Sequence, residues 1–210
     1  TRYVLAQLYQ AQGEDKKAYA QLNQILKKNP PYELDFYSKL MLGQVSDLNL
    51  NDRARLEKYF AKLLQDPNNK EYTDKIYYEM GRFEYRQQRF PAALALLEKS
   101  VRVPRGNPAQ KAYTYLLQGR IYYENLQRYR LAAAYYDSTV QVMPQTNPTY
   151  EAIAERAGIL QDFARELTVV ETQDSLQALA RLAPDELTAR LNAYAEAELA
   201  ERQRQIQLLA

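Results

Sequence analysis

Two of the most versatile side chains in protein chemistry are missing from this 210-residue chain, which has no cysteine and no histidine. Without cysteine there are neither disulfides nor thiolate metal sites within these residues. Without histidine the commonest general base and the commonest zinc ligand are gone, and with them every Ser-His or Cys-His nucleophile arrangement. Tryptophan is absent as well, which removes the usual platform for stacking a sugar. No apolar run approaches the ~18 residues that a membrane span requires. No glycine-rich phosphate cradle occurs. Lysine disappears after Lys111, and the final forty residues hold seven acids against four arginines, a pattern expected of a solvated acidic tail.

What is present is enough to fold. Hydrophobic residues make up 46% of the chain and charged ones 26%, which lies in the range of folded proteins. The formal charge of +2 is spread among both signs, so no nucleic-acid partner is expected. The opening TRYVLAQLYQ already has helical periodicity, with no signal peptide or start methionine ahead of it; further chain is therefore expected upstream.

The dominant signal is repetition. GRIYYENLQRYRLAAAYYDSTV begins at Gly119 and GRFEYRQQRFPAALALLEKSV at Gly81. Gly81 matches Gly119, Arg82 matches Arg120, Phe90 matches Tyr129, Ala93 matches Ala132 and Val101 matches Val140. The glycines are 38 residues apart and the alanines 39. The extra residue is expected in the turn between helices, where insertions cost least. The same offset leads back to Gly43 and Ala6, and a period in the high thirties signals stacked helical repeats. Apolar residues at spacings of three and four give each unit two helices with one buried stripe apiece. The small residue lets the two helices of a hairpin approach, with Tyr9 or Tyr122 filling the groove beside it.

Asn29-Pro30, Asp66-Pro67, Asn107-Pro108 and Asn147-Pro148 supply the punctuation, each ending a second helix or opening the next first helix. Four hairpins are expected over about 1–32, 33–70, 71–106 and 107–144. A fifth, degenerate hairpin is expected over 145–183, with Asp174 capping its second helix. A last helix, 184–210, starts at Pro184 with Asp185 and Glu186 in its first turn; it serves as a cap or leads onward.

The spacing of Ala6, Tyr9, Gly13, Ala18, Leu22, Ile25 and Pro30 resembles the tetratricopeptide repeat (TPR). In the third unit Glu84 stands where the large aromatic is expected, and in the second Ser46 does, so looser hairpins are expected there. The resemblance implies an all-α, right-handed α-solenoid of TPR-like helix hairpins with C-terminal capping helices. It also implies a concave face lined by the first helices, and aligned positions place Tyr3, Gln7, Gln10, Tyr37, Leu40, Gln44 and Asp47 there. The third unit adds Lys75, Tyr78, Arg82, Tyr85 and Arg86, and the fourth Tyr113, Leu116, Arg120, Tyr123 and Glu124. Among these Gln7, Gln44, Tyr78, Arg82, Tyr85, Arg86, Tyr113, Arg120 and Tyr123 are the candidates for contacting a partner.

Amphipathic rings beside guanidinium forks suit an extended peptide with acidic or carboxylate groups. A blander role is open for the same arginines, which can cover a neighbouring tyrosine or pair with Glu79, Glu84 or Glu124. Glutamine at Gln7 and Gln44 replaces the asparagine of the family's carboxylate clamp, so chaperone tails are not expected ligands. Of each tyrosine pair, 77–78, 122–123 and 135–136, one member is expected in the core.

Nothing in the sequence points to catalysis, a cofactor or a metal. DPNNKEYTD, from Asp66 to Asp74, lacks the turn glycine and closing glutamate of a calcium loop and reads as a capped connection. Ser138 has no base nearby, and Glu196, Glu198 and Glu201 lie on a polar helix. YYDS followed by QDSLQ, within a match running from about Ala112 to Arg190, resembles the PorW/SprE group of lipoproteins. That likeness implies a non-catalytic adaptor on the periplasmic face of the outer membrane in type IX secretion and gliding. It implies a lipid anchor outside these residues and partners among other secretion components. Two further readings are open: a generic TPR adaptor or assembly factor, then cytoplasmic, and a helical-repeat lipoprotein for nutrient or sugar binding.

Overall fold

In a computed structural model of the chain, residues 2–45, 50–104 and 106–209 are described, and among them every regular element is helical. In order these are α1 (Arg2–Ala11), α2 (Asp15–Leu26), α3 (Tyr32–Val45), α4 (Leu50–Gln65), α5 (Thr73–Arg86), α6 (Phe90–Arg102), α7 (Pro108–Arg120), α8 (Tyr129–Val142), α9 (Tyr150–Ala180) and α10 (Pro184–Leu209). A 3-10 turn, Pro67–Tyr72, leads into α5, and a π-helical turn, Ile121–Asn125, follows α7. The chain divides into two compact units, Thr1–Gln161 and Asp162–Ala210.

Within the first unit the helices pair in sequence order. α1 packs on α2, α3 on α4, α5 on α6 and α7 on α8, while α2 meets α3, α4 meets α5 and α6 meets α7. The first helices also touch one another, α3 against α5 and α5 against α7. The reason lies in the small residues. A Cβ added to Gly43 would lie 2.9 Å from the Phe60 ring, one on Gly81 2.8 Å from Leu97, and one on Gly119 2.8 Å from the Tyr136 ring. Ala6, at the matching place in α1, is fully buried. At Gly43, Gly81 and Gly119 the side chain filling the approach thus comes from the second helix rather than from a tyrosine of the first. Tyr122 instead stacks on Tyr135, with ring centroids 5.2 Å apart.

Each described hairpin turn pivots on one left-handed residue: Gly13 (φ 74), Gln88 (φ 58) and Gln127 (φ 52). These follow Ala6, Gly81 and Gly119 by seven, seven and eight residues. The extra residue of the fourth repeat is therefore not in the connecting turn. It is absorbed in the helix as the π-helical turn, where the Leu126 N–H donates five residues back to the Ile121 carbonyl at 3.1 Å. A π turn holds one residue more than an α turn, so the turn beyond keeps its geometry.

The Asx-Pro pairs act locally. Asp66 accepts from the Asn68 N–H at 3.0 Å, Asn107 from Ala109 at 2.9 Å and Asn147 from Thr149 at 3.0 Å. A side-chain oxygen thereby satisfies an orphan donor at the start of the following helical segment. Asn29 is left-handed (φ 45) and lies three residues beyond the end of α2 at Leu26. The stretch from Asp66 is accordingly a capped connection, with Asn69 buried between the Tyr32 hydroxyl and the Leu63 carbonyl. A buried Asp74 carboxylate accepts from the Asn107 N–H at 2.7 Å, and the Ser100 hydroxyl donates to the Asp74 carbonyl at 2.7 Å. Together they tie the α6–α7 connection to the start of α5.

Two expectations change, and a third falls outside the described residues. Glu84 does not loosen its hairpin: it is buried and held by Arg53 of α4, Nη2 to Oε1 at 2.7 Å. Ser46, the corresponding position of the second unit, lies outside the described residues, as does Asp47. The fifth hairpin over 145–183 is absent, because α9 runs unbroken from Tyr150 to Ala180 and Asp174 lies inside it. No glycine or proline interrupts that stretch after Gly158, and the Thr168, Thr172 and Ser175 hydroxyls donate to carbonyls four residues back at 2.7 Å. Those bonds keep the side chains on the helix instead of offering a cap to a new one. Ser138 does the same toward Ala134 at 2.8 Å.

In the second unit the helical residues are exposed almost throughout, Glu196, Glu198 and Glu201 among them. Pro184 opens α10 with Asp185 and Glu186 in its first turn. Among the described residues no helix is long and apolar enough to cross a membrane.

Candidate functional site

The first helices of the leading unit line two hollows. The first, about 260 Å³, is formed by Tyr3, Gln7 and Gln10 of α1, Tyr37, Leu40, Met41 and Gln44 of α3, and Lys75 and Glu79 of α5. The second, about 330 Å³, is formed by Tyr78, Arg82, Tyr85 and Arg86 of α5 and Tyr113, Leu116, Leu117 and Arg120 of α7. Helical spacing accounts for the grouping: residues three, four and seven apart on one helix share a face, and two adjacent helices present such faces side by side. Of the nine candidate residues, six meet in the second hollow and Gln7 and Gln44 in the first. Tyr123 joins neither. It falls in the π-helical turn, which breaks the register with Tyr85, and its ring sits edge-on to Tyr129 at 5.8 Å.

A polar thread runs beneath the first hollow. Gln10 Nε2 donates to Gln44 Oε1 at 2.7 Å, and Gln44 lines the same hollow as Glu79. Glu79 is only 6% exposed, and burial pushes its pKa above the usual carboxylate range against the opposing pull of Arg82, Gln44 and Lys75. Its Oε2 lies 3.5 Å from Arg82 Nη1, too far for a hydrogen bond. Lys75 places its ammonium 4.6 Å from the Tyr37 ring centroid, a cation–π contact. Burial also raises the Tyr3 phenol. Composition gave no hint of Glu79. The available signal was positional, since matching places in the other repeats hold Val4, Met41 and Leu117 and a carboxylate interrupts an apolar column.

The second hollow is cationic. Arg82 lies 5.8 Å from the Tyr78 ring centroid as well as beside Glu79. Arg120 Nε is 3.3 Å from Glu124 Oε1, and Arg86 Nη2 is 3.5 Å from Asp15 Oδ2. Arg86 Nη1 is buried without a hydrogen-bond partner. Burial raises the Tyr78 phenol while Arg82 and Arg120 pull it down. The arginines thus make the structural contacts open to them and line the hollow at once. Each guanidinium carries five N–H donors and its carboxylate contact occupies few of them. Guanidinium forks between tyrosine rings have the chemistry to accept an acidic or carbonyl group.

Among the described residues no group of three or more acidic side chains is placed to hold a metal ion. Compared with known proteins, the chain matches no family model and no curated sequence.

Proposed function

We propose that the chain is a non-catalytic scaffold for protein–protein interaction, a right-handed solenoid of TPR-like helix pairs whose first helices grip an extended segment of a partner protein. The observation that carries this reading is the second hollow. Arg82, Arg86 and Arg120 share it with Tyr78, Tyr85 and Tyr113 on two neighbouring first helices. Support for stacked repeats comes from the equivalent close approaches at Gly43, Gly81 and Gly119 and from the contacts of α3 with α5 and α5 with α7. Buried aromatic and arginine anchors carry most of the binding energy in protein interfaces, and this recess concentrates them.

The finer reading is an adaptor on the periplasmic face of the outer membrane, serving type IX secretion and gliding and held by a lipid anchor outside these residues. It rests on the YYDS and QDSLQ resemblance. Cross-linking with mass spectrometry in the native cells identifies the partner, and fractionation of the envelope tests the compartment. Replacing Arg82 and Arg120 together by glutamate is expected to abolish capture of that partner while leaving helical circular dichroism unchanged. Undiminished capture by the folded double variant would remove the second hollow from the binding surface.

A further inference from the structure

Glu79 is a carboxylate where the repeat asks for none. Val4, Met41 and Leu117 hold the matching places of the other units. Glu79 takes that apolar place at 6% exposure, its Oε2 buried and, among the described residues, without a hydrogen-bond partner. Burying a carboxylate costs free energy that a leucine or methionine there would not, so packing does not account for it. It lines the first hollow, about 260 Å³, and Lys75 lines the same space with its ammonium 4.6 Å from the Tyr37 ring centroid.

One acid and one ammonium on a shared hollow disfavour a ligand of either charge. A ligand ammonium meets Lys75 and a ligand carboxylate meets Glu79, each a like-charge approach. A neutral carboxamide meets both favourably, because its NH2 donates to the Glu79 carboxylate and its C=O accepts from the Lys75 ammonium. Protonation of Glu79, toward which burial shifts it, keeps the match: the neutral acid donates to the amide C=O instead. The other polar groups lining the hollow are the amides of Gln7, Gln10 and Gln44 and the hydroxyls of Tyr3 and Tyr37, and each carries both a donor and an acceptor. The second hollow is different, with three arginines and, among the described residues, no carboxylate in its lining.

We propose that the first hollow is a binding site for an uncharged carboxamide, the side chain of a glutamine or asparagine, with Glu79 taking its NH2 and Lys75 its C=O. The inference rests on the reading of the first helices as a partner-binding face and deepens it: the carboxamide belongs to the same extended segment whose acidic group enters the second hollow. Both hollows border α5. Packed helices stand about 8–10 Å apart, which extended chain at about 3.3 Å per residue covers in roughly three residues. The amide residue is therefore expected about three positions from the acidic one.

The test uses the full 210-residue chain, isotope-labelled for NMR, and three probes: N-acetyl-glutamine methylamide and its glutamate and lysine counterparts. The blocking groups are common to all three, so differences report the side-chain end. The side-chain amides of Gln7, Gln10 and Gln44 read the first hollow, and the Nε–H signals of Arg82 and Arg120 read the second. Blocked glutamine is expected to shift the glutamine amides saturably, with a dissociation constant on the order of millimolar for so small a ligand. The two charged probes are expected to bind there at least about fivefold more weakly, and Lys75→Met and Glu79→Met each to weaken blocked glutamine by about as much. Met41 already fills the matching place of the second unit, and circular dichroism checks that both variants keep their helices. Glutamine amides unmoved up to the solubility of blocked glutamine, charged probes that match it, or undiminished binding by the folded Lys75→Met chain would each overturn the inference. A glutamate probe that moves neither arginine signal would remove the acidic half of the segment and leave the carboxamide site standing.

Discussion

Replacing Gly119 by alanine forces the Tyr136 ring to move, because the added methyl would lie 2.8 Å from Cδ2 and 3.1 Å from Cε2 of a side chain buried on every side. Overpacking of that kind costs about 1–3 kcal/mol and offsets the roughly 1 kcal/mol that alanine gains over glycine in a helix. Gly158 in α9 has nothing within 4 Å of an added Cβ, so Gly158→Ala is expected to stabilise by roughly 1 kcal/mol. Urea midpoints of the two variants should move in opposite directions. The first glycine was legible as a close approach because it recurs at a fixed period. Gly158 occurs at the same period without the approach, because no second helix turns back against it.

The pairing of Glu79 with Arg82 was legible, three residues apart on one helix, but its burial was not, because only the fold brings α3 and Gln44 beside it. Burial raises its pKa above the ordinary 4.5, so folding shifts the balance toward the neutral acid relative to the unfolded chain. Its contribution to stability is fully present below the unfolded value and is lost as pH rises through the raised native one. The stability of Glu79→Gln relative to wild type is therefore expected to climb between pH 4 and pH 8. A gap that stays flat over that range would mean that the carboxylate is not paying for burial.

At the scale of elements, α4 and α5 are joined by a charged clasp. Arg53 holds Glu84 at 2.7 Å, donates to Gln87 Oε1 at 2.9 Å and reaches Glu57 at 2.8 Å. With Arg53→Met the buried Glu84 keeps, among the described residues, the ion pair with Arg89 at 3.6 Å. A loss of about 3 kcal/mol is expected, since breaking a buried pair strands a charge, and adding Glu84→Leu should recover most of it. Equal stability of the single and double variants in chemical denaturation would show that water, not Arg53, satisfies Glu84. The helix pairs themselves could be read from apolar spacing and Asx-Pro punctuation because both act within a few residues. The unbroken course of α9 could not, because aspartate, serine and threonine serve equally as caps and as back-bonded helix residues.

At the scale of the whole molecule, stability is expected to be uneven. Residues 162–205 are almost all exposed, and Arg165, Arg181, Arg190, Arg202 and Arg204 all face solvent. Helical segments without a buried face open cheaply. Brief trypsin treatment should therefore first release pieces of 162–210 and leave products that retain 1–161. Mass spectra of the earliest fragments check this, and first cuts within α5, α6 or α7 would contradict it. Neither this division nor the meeting of six candidate residues in one hollow is carried by any single motif, since both depend on which faces find neighbours.

The widened turn at Ile121–Asn125 has a consequence for how such a chain can change length. A surplus residue stored inside a rod is slack, taken up without moving the left-handed Gln127 or the helix that follows it. Lineages can then gain or shed one residue there while the neighbouring helices keep step, and an alignment that places its gaps only in loops will misnumber the positions in between.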